Sequence, residues 1–315
     1  QGSDNIIVAI LDQGIELTHP DLRIHSSSYD TESETSPSQV LGNHGTACAG
    51  IIGAKANNQL GVAGIAPNCP LMSISNSLAA SPNSRQKRAD GFNYAWRNGA
   101  SVISNSWGSS VHYQILDDAI TAALTQGRNG KGCVIVFATG NDNQNSVNYP
   151  ANSHPDILAV GAMSPCGERK NPGSCDGENW GSNYGAALDI VAPGVFIPTT
   201  DRTGVVGYSS GDYFDKFNGT SSACPHVAGI AALMLSVKPD LTQKEVANII
   251  ERTAQKIGNY SYFFNNERPN GRWNEEMGYG LIDGFTAVLE AEGKEIFFNN
   301  QTVNMDKFIA ARKVT

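Results

Sequence analysis

The sequence predicts an α/β protein of three layers (α, β, α), with helices covering both faces of a mainly parallel sheet of about seven strands. Three features carry that reading. Continuous apolar runs such as Ile6-Ile7-Val8-Ala9-Ile10-Leu11 recur along the chain, as strands buried on both faces require. Between them lie stretches with apolar residues at helical spacing. Several of the runs close in turns rich in Gly, Asn, Asp or Pro.

The first run ends in Asp12-Gln13-Gly14-Ile15. A carboxylate at the C-terminal end of a central strand stands where open α/β sheets collect their functional groups. An aspartate that merely opens a turn is the alternative. Residues 26–39 are polar and read as loop. Then Gly42-Asn43-His44-Gly45-Thr46 opens into a helix of small residues, with His44 at its N-terminus. Asn57-Asn58-Gln59-Leu60-Gly61-Val62-Ala63-Gly64 is a tight loop rich in carbonyls and amides, leading to a strand at 71–74.

Residues 85–97 read as a helix with Ala89, Phe92, Ala95 and Trp96 on one side. A strand at 102–104 runs into Asn105-Ser106-Trp107-Gly108. Leu116, Ala119, Ile120 and Ala123 mark the next helix. A buried strand at 133–138 ends in Thr139-Gly140-Asn141-Asp142, and strands at 157–160 and 188–191 follow.

Gly219-Thr220-Ser221-Ser222-Ala223-Cys224-Pro225-His226 leads into a helix apolar on most of its circumference, through Val227, Ile230, Ala231, Leu233 and Met234. Such a helix belongs in a core. Pro225 is expected in its first turn, where a missing N–H is tolerated. A serine here meets free backbone N–H groups and the positive end of the helix dipole, which suits a nucleophile whose attack generates an oxyanion. A plain N-cap is the alternative. Thr242-Gln243-Lys244-Glu245 is a capping box opening a helix to about 253, and 278–289 reads as a turn and a last helix. Residues 1–290 are expected to form one domain, and 291–315 a C-terminal extension or the start of a linker or further module.

The chain has 315 residues and a net charge of −8, which argues against nucleic acid or an anionic membrane as partner. No apolar run reads as a membrane span. It starts at Gln1 and reads as a processed form. Of six cysteines, Cys166 and Cys175 bracket a short polar loop and are the best bridge candidates, favouring an oxidising compartment. Cys48 and Cys224 lie in apolar helical settings that also suit buried thiols.

Asp12, His44 and Ser221 thus stand at element ends in the order Asp, His, Ser, which is the order of the subtilisins. The surrounding motifs Ala9-Ile10-Leu11-Asp12-Gln13-Gly14-Ile15, His44-Gly45-Thr46, Ala138-Thr139-Gly140-Asn141 and Asn218-Gly219-Thr220-Ser221 resemble the subtilisin-like serine protease (subtilase) family. So do His19-Pro20-Asp21-Leu22, Val191-Ala192-Pro193-Gly194 and Pro225-His226-Val227-Ala228-Gly229. The resemblance covers about residues 4–290. It implies a secreted serine endopeptidase, matured from a precursor with an N-terminal propeptide and acting as a monomer on proteins or peptides. An inactive scaffold of the same fold is the alternative.

In that reading His44 takes the proton of Ser221 and Asp12 orients the imidazole, while Asn141 and the Ser221 N–H face the oxyanion. Ser106, Trp107 and Gly108 are implied to pair with extended substrate, and Ala138, Gly140 and Asp142 to border the pocket for the P1 side chain (the residue before the scissile bond). Asp142 either favours basic side chains there or is a plain surface aspartate, and Trp107 is either a binding or a packing residue. Ser109-Ser110-Val111 replaces the acidic pair of kexin-like relatives, which counts against strict dibasic processing. Specificity outside that pocket is expected to be broad. Ser222 stands where relatives often carry Met, so tolerance of mild peroxide is expected.

A calcium site is the further implication, with Asp21 and Asn58 as side-chain ligands and Ala56, Leu60 and Val62 as carbonyl donors. Relatives donate one further ligand from a segment ahead of their first central strand, whereas this sequence starts almost at the strand, so an incomplete or absent site is the alternative. Cys48 falls where proteinase K-like relatives carry a buried thiol, and the loop of residues 166–180 is expected to border the P1 pocket.

Overall fold

The computed structural model describes residues 1–294, and its sheet is organised around the first strand. That strand, β1 (Ile7–Asp12), lies between β3 (Leu71–Ser75) and β4 (Ala100–Asn105). Beyond them lie β2 (Tyr29–Asp30) on one side and β5 (Val134–Ala138), β6 (Leu158–Met163) and β7 (Ile190–Pro193) on the other. All seven strands run parallel in the order β2-β3-β1-β4-β5-β6-β7. The chain leaves β1 towards one edge and returns to build towards the other, so the C-terminal end of β1 is the switch point where such sheets open a crevice.

Alternating residues of β1 serve two cores. Val8 and Ile10 face α1 (His44–Gly53) and α4 (Thr220–Val237), whereas Ala9 and Leu11 face α2 (Ser84–Arg97) and α3 (Gln114–Gly130). Burial on both sides is why the strand reads as one unbroken apolar run. The α5 helix (Gln243–Thr253) and α6 (Gly284–Ala291) complete the α4 side, and α5 carries the expected capping box from Thr242 to Glu245.

Several expectations need correction. The polar segment 26–39 contains β2, a two-residue edge strand too short to leave a hydrophobic signature. Pro225 is the sixth residue of α4, not part of its first turn. That helix is long and apolar enough to cross a membrane, but most of it is buried inside the protein, where it runs beneath β4 to β7. The last helix spans Gly284–Ala291, following the expected turn.

Two antiparallel hairpins have no counterpart in the sequence reading. One pairs β8 (Ile197–Thr200) with β9 (Tyr213–Phe217), and the other pairs β10 (Phe263–Asn265) with β11 (Arg268–Trp273). The proposed tail at 291–315 lies, from residue 295 on, outside the described residues.

Candidate active site

Asp12 ends β1 with no exposed surface, and His44 opens α1 directly opposite. The helix can approach this closely because Gly45 has no side chain: a Cβ there would fall 2.3 Å from the Gly14 carbonyl. His44 Nδ1 lies 2.9 Å from both carboxylate oxygens of Asp12, whose Oδ1 also accepts from the Gln13 amide. Burial disfavours a charged imidazole, but the adjacent Asp12 carboxylate outweighs it, and the His44 pKa stands well above its ordinary value. The ring of Phe217 meets His44 edge-on at 5.4 Å. Beneath the pair, the Cys48 thiol lies 3.8 Å from His44 Nδ1 and 3.6 Å from the Ser221 carbonyl, and burial raises its pKa.

Ser221 is the second residue of α4, and its N–H belongs to the first turn, where helix geometry leaves amides without an internal acceptor. Gly219, at φ +111°, allows the sharp entry. The Ser221 hydroxyl donates to the Ser106 carbonyl at 3.1 Å, and the Ser106 hydroxyl donates back to the Ser221 carbonyl at 3.0 Å. No hydrogen bond joins Ser221 to His44 here. That contact requires the Ser221 hydroxyl to leave Ser106.

Pro225 explains the clamp. It has no N–H to give to the carbonyl four residues earlier, which is that of Ser221, so this oxygen is free for Ser106. Sequence reading missed Ser106 in this role, although a proline four residues after the serine was the available signal.

Asn141 Oδ1 accepts from both the amide and the hydroxyl of Thr220, at 2.8 and 3.0 Å. The oxygen is thereby committed, and Nδ2 is the end left to donate. Ala138 is buried at the end of β5, and Gly140 takes φ +106°. Gly108 and Gly140 approach each other's wall through Asn148: an added Cβ would lie 3.2 Å from its Cβ and 2.4 Å from its Nδ2 respectively. Asp142 is exposed, and its carboxylate has no ion pair among the described residues. The Trp107 indole is buried, donates to the Leu11 carbonyl at 2.9 Å and packs on Phe137, so only its main chain remains for a ligand.

The loop after Cys166 reaches the same rim. Arg169 bonds Asn143 Oδ1, and the Asn143 amide donates to the Gly181 carbonyl. Cys166 and Cys175 are bonded to each other, with Cα atoms 6.3 Å apart. Cys48, Cys69, Cys133 and Cys224 are buried thiols.

Away from this cleft, Asp21 is fully buried and its Oδ2 has no hydrogen-bond partner. An orphaned carboxylate oxygen beside a loop rich in carbonyls is the donor a hard cation takes, so Asp21 fits calcium. Asn58 turns its Nδ2 to Asp21 Oδ1 at 2.5 Å while its Oδ1 accepts from the Leu60 amide. A ligand role for Asn58 therefore requires that amide to turn. Asn57 and Gln59 both take positive φ, which curls residues 56–62 into a tight loop.

A buried acid–base pair beside a hydroxyl at a helix start, on the crevice edge of a parallel sheet, is the constellation used by hydrolases with an alcohol nucleophile. Comparison with known proteins narrows the class. The family model described as Subtilase family matches residues 3–280, and the chain belongs to that family. It is 38% identical over 319 residues to a calcium-dependent protease of Trichormus variabilis, covering 90% of this chain and 46% of the relative. It is 34% identical to subtilisin E of Bacillus subtilis, covering 82% and 63%. The chain spans about half the length of the calcium-dependent proteases it matches. Among solved structures, fervidolysin of Fervidobacterium pennivorans, a keratinolytic enzyme related to subtilisin, superposes with TM-score 0.70 at 27% identity over 91% of this chain and 43% of that one. The prenylagaramide maturation protease PagA gives 0.68 at 26%, over 92% and 94%.

Proposed function

We propose that this chain is a serine endopeptidase domain that cleaves peptide bonds through an acyl-enzyme. The observation that carries the reading is the fully buried Asp12 carboxylate held 2.9 Å from His44 Nδ1, with Ser221 on the adjoining helix start. Ser221 attacks the carbonyl and His44 takes its proton, then delivers that proton to the leaving amine. Asp12 fixes the tautomer that puts the lone pair on Nε2 and stabilises the imidazolium. Asn141 Nδ2 and the Ser221 N–H bind the oxyanion. Ser106, Trp107 and Gly108 lend their main chain to an extended substrate, and Ala138, Gly140 and Asp142 border the P1 side chain. Recognition through main chain reads shape, which favours broad specificity.

Residues 1–290 act as the catalytic unit in this reading, with 291–315 an appendage. The Cys166–Cys175 bond favours secretion. Maturation from a longer precursor with a propeptide and action as a monomer belong to the same reading. Calcium is proposed as a structural ion held by Asp21 and Asn58 with the carbonyls of Ala56, Leu60 and Val62. Bound there it supplies positive charge to a buried carboxylate and ties residues 56–62 to the core. Chelation is expected to lower the melting temperature and calcium to restore it. Identical melting curves would remove the ion from this account.

The turn of the Ser221 hydroxyl towards Ser106 favours a second reading, an inactive scaffold of the same fold. A fluorophosphonate probe separates the two. The enzyme labels at Ser221, Ser221→Ala abolishes labelling and casein hydrolysis together, and failure of the native protein to label sinks the proposal.

A further inference from the structure

The hairpin of β8 and β9 carries a long tip, residues 201–212, that the mechanism above does not use. This tip is built around a buried anion. Asp201 has no exposed surface and accepts from the amides of Arg202 and Ser209 at 2.8 and 2.7 Å. Gly207 passes so near that a Cβ would fall 2.2 Å from Asp201 Oδ1. Thr203 donates twice to Glu16, and the Gly204 amide donates to Asp212. A loop with this many charge-assisted bonds at its base holds a defined shape.

What it holds out is apolar: Val205 is 81% exposed, Val206 54% and Tyr208 44%. Exposed apolar groups clustered on an ordered platform mark a contact surface. Its position indicates the contact. Tyr208 lies 5.3 Å from the ring of Phe214 and 6.1 Å from that of Phe217, and Phe217 meets His44 at 5.4 Å. Beneath it, Thr199 and Thr200 bond the carbonyls of Ala47 and Thr46 in the helix that carries His44. The hairpin packs on α1, which lies against β1, whereas Gly140 and Asn141 follow β5, two strands away in the sheet. The row Tyr208, Phe217, His44 thus runs out from the catalytic histidine on the β1 side. The acyl half of a substrate occupies the Asn141 side. The amine that His44 protonates, and the chain attached to it, must leave on the other.

We infer that Val205, Val206 and Tyr208 form a binding surface for the leaving-group half of the substrate, selecting large apolar side chains at the first two positions after the scissile bond. This rests on the proposed peptidase reading and extends it from a broadly specific cleft to one with a sequence preference on the leaving side. The occupant is substrate because the patch is continuous with the catalytic histidine through Phe217.

The test uses quenched peptides with one common acyl half, followed by Leu-Val or by Ser-Ser. The native enzyme is expected to favour Leu-Val by about tenfold in kcat/KM, the order one well-filled apolar contact supplies. In Val205→Ser/Tyr208→Ser that ratio falls to about twofold or less. Because each ratio is taken within one preparation, partial misfolding of a variant cancels. A native ratio near one, or a ratio unchanged in the variant, overturns the inference. Fluorophosphonate labelling assigns the fault: labelling without preference sinks this surface alone, and no labelling with no cleavage sinks the peptidase reading as well.

Discussion

Both edges of the sheet bury carboxylates, and they put them to opposite uses. At the C-terminal edge Asp12 faces a histidine, a partner that gains and loses its proton near neutral pH. At the N-terminal edge Asp189 and Glu251 lie beneath the β10–β11 hairpin around a cavity of about 460 Å³. There Asp189 is bonded by Arg268 and by the Ala159 amide, and Glu251 by Asn270. Burial pushes Asp189 up to about 6 against the pull of Arg268, and burial with the Asp189 charge pushes Glu251 up to about 8. Arginine keeps its proton throughout. A buried acid serves a triad only where its partner can exchange a proton and a nucleophile stands beyond it. At the opposite edge the side chains bonded to the acids, Arg268 and Asn270, exchange no proton in this range.

The largest break in this contrast is Asp12→Asn. The geometry around His44 survives, but the tautomer is no longer fixed, and kcat is expected to drop by about 10⁴-fold, an order borrowed from subtilisin itself. The pH profile sharpens the point. Activity needs neutral His44, and its raised pKa means that the native acid limb of kcat/KM lies above the ordinary 6.5. The limb should move down in the variant. A native limb below pH 6 would show that Asp12 does not charge-stabilise this imidazole.

Asn141→Asp is the next in size. The aspartate keeps an oxygen for Thr220 but loses both Nδ2 hydrogens, so it isolates the donor from the scaffold. The expected loss is about 10²–10³ in kcat with KM nearly unchanged, again a figure known from subtilisin. A change falling mainly on KM would assign Asn141 to substrate binding instead.

The two edges also differ in how far they could be read from sequence. The catalytic edge was legible because each of its groups sits where periodicity breaks: a strand end at Asp12, and helix starts at His44 and Ser221. The sheet strands were legible because burial on both faces leaves no polar interruption in runs such as residues 6–11 and 133–138. The β8–β9 and β10–β11 hairpins are half-exposed, so their strands carry polar residues such as Asp215 and Lys216 and show no clean alternation. Buried polar groups such as Asp189 and Glu251 were invisible for a related reason. What makes them tolerable is a set of donors from Arg268, Asn270 and Ala159, all remote from them in the chain. The Ser106–Ser221 clamp is likewise a contact across 115 residues, signalled locally only by Pro225.

The smallest expected effect is at Glu251, and its sign separates the edges. An acid whose folded pKa is about 8 against an ordinary 4.5 holds a proton in the native state that the unfolded chain has lost. Between those values the native state binds more protons than the unfolded one, so stability falls as pH rises through the window. Glu251→Gln substitutes a neutral group of the same shape, still able to accept from Asn270. It should therefore change stability least near pH 5, leave peptidase activity alone, and gain on the native chain as pH rises to 8 and above. Melting curves from pH 5 to 9, recorded in a Ser221→Ala background so that self-digestion does not intrude, give the comparison directly. His44 also has a raised pKa, so its pairing with Asp12 weakens with rising pH too, but only above the ordinary 6.5. A difference between Glu251→Gln and its parent that develops already between pH 5 and 6.5 thus belongs to the structural edge. Parallel curves would mean that Glu251 is ionised in the folded protein, with its charge met by Arg268 and Asn270.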